Sequence, residues 1–204
     1  LNISLFICTL LVIPLYPIGS LLPDLFLSIS VIIFLIISFK DKLIKFYFNK
    51  ISIFFFIFFI YIICNSFFSL YPKVSLLSSV FYFRFYFFAL AISYLLSVED
   101  NYKHILYFVL KVTVAFVVID TVYQYFFGAD LFNFEKQMHR LSGPFGEELI
   151  VGSFISKVLP VLISLEFLIR KKISFSLIGL FILSVLTTFL SGERVSFFNI
   201  FVFF

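Results

Sequence analysis

Two short stretches of this chain concentrate side chains suited to chemistry on a charged substrate. Asn133–Glu148 (NFEKQMHRLSGPFGEE) gathers Lys136, His139, Arg140, Glu147 and Glu148 around a Ser-Gly-Pro turn, ahead of a helix expected to start near Leu149. Ser191-Gly192-Glu193-Arg194 places a second arginine beside an acid, at a junction between apolar runs. Acidic residues suit a helix N-terminus, so Glu147 and Glu148 are expected to complement the dipole of the following helix. Arg140 has no such structural explanation. A planar guanidinium at a membrane edge is a forked donor matched to phosphate. Arg194 offers a second such fork, or is neutralised by Glu193 or by lipid headgroups.

Four further ionisable residues interrupt apolar runs: Arg84, Lys111, Asp120 and Lys157. A charge within lipid costs roughly 2.5–3.5 kcal/mol on insertion scales, so such residues face protein or water and often mark function. Lys111 lies near one end of its run and can snorkel outward. Asp120 shares a helical face with Thr113, Val117 and Gln124, about 10 Å below the outer surface by helix rise. Lys157 and Arg84 lie at about 14 and 15 Å on the same ruler. Those depths allow Asp120 to pair with Lys157 or Arg84, either to hold a bundle together or to handle substrate. Cys8 and Cys64 are far apart and lack partner ligands, so neither a disulfide nor a metal site is expected.

The elements that must carry these residues follow from composition. Of 204 residues, 63% are hydrophobic and 13% charged, against roughly 25% charged in a soluble domain. Runs such as Ile51–Ile63 have no polar face, so lipid is their natural solvent. The net charge of +4 sits in clusters between apolar runs and is not a nucleic-acid signal. There are 35 Phe, 11 Tyr and no Trp, so Tyr alone must mark the membrane interfaces.

The fold expected is an all-α, polytopic transmembrane helical bundle forming a single domain over 1–204. About 20 helical residues cross a bilayer core. On that measure seven complete spans fall near 2–18, 22–39, 51–70, 74–97, 104–127, 148–168 and 173–190, and an eighth starts at Val195. Lys40, Lys42, Lys45 and Lys50 crowd the loop after the second span, and Arg170, Lys171 and Lys172 form the loop after the sixth. An even number of spans separates the two clusters, so both fall on one face, which the positive-inside rule makes cytoplasmic. The N-terminus is then cytoplasmic, and the outer loop at 128–147 is the one long enough to carry chemistry. Leu1 in place of Met, and an eighth run too short to span before Phe204, lead us to expect a piece of a longer polypeptide.

The run Tyr123–Phe132 (YQYFFGADLF), then Arg140–Glu148 (RLSGPFGEE), Gly152-Ser153 and Pro160, resembles the O-antigen ligase and O-antigen polymerase family of bacterial inner-membrane proteins. Ser191–Arg194 is similar to that family's Ser-Gly-x-Arg signature at the outer start of a later helix, and Arg84 to a basic residue often found in the fourth span. The resemblance follows the whole chain in order and topology, but only 123–160 and 191–194 are specific. It implies a glycosyltransferase on the periplasmic side of the inner membrane. The donor would be a glycan linked through diphosphate to a polyprenyl lipid; the acceptor would be lipid A–core or a growing glycan. The family is metal-independent and no cofactor is implied, so Arg140 and Arg194 would stabilise the diphosphate leaving group. The family's late outer loop carries a His thought to activate the acceptor. The sequence reaches Phe204 before any such loop, so the resemblance implies that the general base lies beyond Phe204. His139, in the earlier loop, does not inherit the role. The stretch would hold donor-binding residues without the general base and be inactive alone.

Two other readings compete. A transporter or a lipid or polysaccharide flippase would use Arg84, Asp120 and Lys157 along a substrate path. A structural membrane subunit leaves the Arg140 loop unexplained.

Overall fold

The computed structural model describes the chain apart from residues 44–46, 48, 49, 138, 139 and 204 and the side chain of Phe203. Lys45, His139 and Phe204 therefore lie outside the described residues. Every regular element among those described is helical: α1 (Asn2–Leu15), α2 (Leu21–Lys40), α3 (Lys50–Phe67), α4 (Pro72–Phe81), α5 (Phe83–Val98), α6 (Asp100–Phe127), α7 (Val151–Arg170), α8 (Phe175–Leu190) and α9 (Arg194–Phe203). Short 3-10 turns occupy Tyr16–Ile18 and Gly143–Phe145.

Among the described residues, five stretches are long and apolar enough to cross a membrane: Leu21–Lys40, Lys50–Phe67, Pro72–Val98, Asp100–Phe127 and Val151–Arg170. Asn2–Ile18 and Phe175–Leu190 are apolar but shorter. The protein is thus a membrane-embedded helical protein. Helices suit lipid because each satisfies its own backbone hydrogen bonds. The hydroxyls within them follow the same logic. Thr113, Thr121, Thr187 and Thr188 each donate to the carbonyl four residues back, at 2.7–2.9 Å. The expected span 74–97 is interrupted at Tyr82, whose N–H turns back to the Ser79 carbonyl at 3.1 Å and separates α4 from α5. α7 starts at Val151, three residues later than the expected span, because Ser142–Ile150 is taken up by the 3-10 turn and its flanks. The last run starts at Arg194, one residue before the expected Val195, and its helix extends to Phe203.

The chain forms two compact units, one of residues 1–12 and 24–100, the other of 13–23 and 101–204. In the first, Val12, Leu27 and Val31 form a buried cluster with Phe26, Leu35, Phe87 and Phe88 packed on it. Tyr86 stacks on Phe55 with ring centroids 4.6 Å apart and donates to Ser52 at 2.7 Å. Small polar side chains of this kind let membrane helices approach and bond across their contact. In the second, Gly152 of α7 marks the closest approach of α7, α8 and α9. A Cβ there would lie 3.0 Å from Thr188 and Ser196 and 3.1 Å from Glu193.

Candidate functional site

The site lies within the second unit, and three polar side chains shape its long loop. Gln124 of α6 is fully buried and uses its whole amide. Its Oε1 accepts from the Ser142 N–H at 3.0 Å and the Gly143 N–H at 2.9 Å. Its Nε2 donates to the Phe134 carbonyl and to Ser142 Oγ, both at 3.1 Å. Asp120, one turn earlier, accepts from the Leu131 N–H at 2.9 Å. Asp130 Oδ1 accepts from the N–H groups of Phe132 (3.0 Å) and Phe134 (2.6 Å). Buried backbone polar groups demand partners, and here Gln124 and Asp120 of α6, with Asp130 of the loop, supply those that the loop's own backbone bonds leave over. Gly143 is obligatory in this arrangement. Its φ is +52°, and a Cβ would collide with Thr121 Oγ1.

The loop delivers Arg140 to the same place as the start of α9. Gln137 and Arg140 exchange backbone hydrogen bonds at 2.8 and 3.2 Å, fixing the loop just ahead of the clamped Ser142. Arg140 and Arg194 then line one groove of about 460 Å³, together with Thr188, Gly192, Glu193 and Phe197. Both arginines are exposed. Arg140 makes one long contact, Nη2 to the Leu149 carbonyl at 3.5 Å. The Arg194 side chain makes no hydrogen bond or ion pair among the described residues. The two forks expected to act together are thus in one groove. The expected general base has no counterpart among the described residues.

Glu193 does not neutralise Arg194, contrary to one expectation for this junction. Its carboxylate caps the start of α7, accepting from the N–H groups of Gly152 (2.7 Å) and Ser153 (3.0 Å). It also accepts from the hydroxyls of Ser153 (2.8 Å) and Ser196 (2.9 Å). Those are the exposed donors that open every helix. The carboxylate at the start of α7 is therefore that of Glu193, while Glu147 and Glu148 are exposed in the segment before the helix.

Asp120 does not pair with Lys157 or Arg84. It serves the loop instead, and Lys157 is exposed on α7. Arg84 pairs within the first unit with Asp24, at 2.6 and 2.8 Å through its two terminal guanidinium nitrogens. Asp24 stands in the first turn of α2, where the helix dipole favours it. The Lys111 ammonium lies 5.6 Å from the centre of the Tyr107 ring, one turn earlier on α6. A further charge, Glu166, is fully buried on α7 and 3.8 Å from Arg170 one turn on. No group of three or more potential metal ligands occurs among the described residues.

Comparisons with protein-family models, with curated proteins and with solved structures find no match to this chain.

Proposed function

We propose that this membrane protein is a glycosyltransferase of the O-antigen ligase or polymerase type. Its donor is a glycan carried on a polyprenyl diphosphate, and its acceptor is lipid A–core or a growing glycan chain. The observation that carries the reading is the pairing of Arg140 and Arg194 in one groove, with the neighbouring Glu193 carboxylate engaged elsewhere. An acceptor hydroxyl attacks the anomeric carbon, the bond from that carbon to the diphosphate oxygen breaks, and the diphosphate departs with the electron pair. Two guanidinium groups lining one groove stabilise that charge through charge-assisted hydrogen bonds. The N-terminus of α9, at the groove, adds its partial positive charge.

The remaining assignments belong to the same proposal: a bacterial inner membrane, a cytoplasmic N-terminus, seven spans with the shorter α1 and α8 included, and the groove on the periplasmic side. The acceptor hydroxyl gives up its proton to a general base as it attacks. The transport reading loses support from the geometry. Arg84 is paired and Asp120 holds a loop, so two of the three charges it needs have structural duties.

The test replaces Arg140 or Arg194 with Ala in the host gene and separates surface polysaccharide on a gel. Loss of long-chain glycan in either variant, at normal protein level, is the expected result. Unchanged glycan in both sinks the proposal.

A further inference from the structure

A second cavity in the same unit has different chemistry. It encloses about 190 Å³ between the 3-10 turn after α1 and the long loop, and Tyr16, Phe132, Phe134 and Phe145 wall it. Glu148 is the charged residue of its lining.

The walls are held firmly. Tyr16 stacks on Phe154 at 6.0 Å and meets Phe145 edge-on at 6.2 Å, while Phe145 packs on Phe154 at 5.3 Å. The backbone of Phe132 and Phe134 is pinned by Asp130, and Phe134 also by Gln124. Gly146, at φ +66°, leaves the Phe134 ring uncovered where a Cβ would lie 3.5 Å from it. Yet Tyr16, Phe132 and Phe134 remain 43%, 57% and 42% exposed. Aromatic rings fixed in position but left open are a prepared surface.

The composition of the lining limits what fits. A hydrocarbon chain would satisfy the rings but offers no donor to the exposed Glu148 carboxylate. An organic ammonium suits rings and a carboxylate, but needs rings on several sides. Phe145 is buried, and Tyr16 gives one face to Phe154, so the accessible rings form an open wall and not a box. A pyranose fits both features. Its C–H face stacks on aromatic rings, and its hydroxyls donate to a carboxylate, which accepts through two oxygens.

We propose that this aromatic cavity is a sugar subsite, with one pyranose ring stacked on the Tyr16, Phe132 and Phe134 wall and hydrogen-bonded to Glu148. The inference rests on the glycosyltransferase reading and adds to it where the glycan is held. Arg140 in the groove and Pro144 in the cavity wall are four residues apart, so their Cα atoms lie within about 15 Å. The intervening Ser142 and Gly143 are clamped by Gln124. A short glycan whose diphosphate lies between the arginines reaches the cavity along that rigid stretch.

The chain has no Trp, so Phe132→Trp gives a single tryptophan in the cavity wall, excited at wavelengths where the 11 Tyr do not absorb, and Phe134→Trp provides a second reporter should the first be silent. The full chain in detergent micelles is titrated with glucose, galactose, mannose and N-acetylglucosamine, and separately with tetramethylammonium. A saturable change with at least one sugar is expected, with Glu148→Gln raising the half-saturating concentration roughly tenfold. Neither reporter responding to any sugar overturns the subsite, as does an unchanged Glu148→Gln titration. A response to tetramethylammonium in place of sugar also overturns it. Binding of farnesyl diphosphate, measured on the same preparations, reports the arginine groove separately. Its survival when the sugars fail removes the subsite and leaves the transferase reading standing; its loss with sugar binding intact does the reverse.

Discussion

Glu193 and Ser153, forty residues apart, meet through both the backbone N–H and the hydroxyl of the serine, at 3.0 and 2.8 Å. One carboxylate thereby ties the start of α9 to the start of α7 and leaves the adjacent Arg194 to face the groove. Position and availability of that arginine come from one contact.

Removing the carboxylate should therefore do two things. Glu193→Ala leaves the first donors of α7 without their partner and should cost about 2 kcal/mol or more, since charge-assisted bonds to a helix start are among the stronger ones. Thermal unfolding in detergent measures it. Glu193→Gln, which keeps an acceptor but loses the charge, should recover part of the loss. Equal stability of all three forms would contradict the cap.

Gln124→Leu tests the clamp on the loop. It orphans the buried Ser142 and Gly143 N–H groups, each of which costs about 1–3 kcal/mol when left unsatisfied. The variant should show faster amide exchange across 131–145, with α6 otherwise protected. Unaltered exchange there would show that the loop holds its shape without the amide.

Much of this was legible before any coordinates, and the reasons are physical. Apolar runs in lipid must be helices, so their existence needed only composition, and Arg140 stood out because nothing local explained it. What escaped was whatever depends on long-range pairing. Asp24 with Arg84, and Glu193 with Gly152 and Ser153, join residues sixty and about forty positions apart. A spacing rule on one helix cannot see such partners, and depth alone allows Asp120 a cation where a backbone N–H of the loop takes it. Glu166, fully buried a turn before a basic loop, was hidden by its proximity to Arg170 in sequence.

Gly143→Ala should destabilise by about 1–3 kcal/mol, combining left-handed backbone strain with the clash on Thr121. Adding Thr121→Ala removes the clash but not the strain, so the double variant should recover only part of the loss. Full recovery would place the whole effect in the side-chain contact.

Asp24→Asn and Arg84→Gln should each lower stability by no more than about 1 kcal/mol, because both side chains are partly exposed. Their effects should be non-additive in a double-mutant cycle, and surface glycan should be unchanged. Loss of glycan in the double variant at normal stability would return Arg84 to the functional site.

The central claim is that Arg140 and Arg194 form one diphosphate site. Calorimetric titration of the solubilised protein with farnesyl diphosphate tests it most directly. Arg140→Ala and Arg194→Ala should each weaken binding about tenfold or more, as loss of a charge-assisted fork does, and the corresponding lysine variants should fall between. An unchanged Kd in both alanine variants would contradict the account.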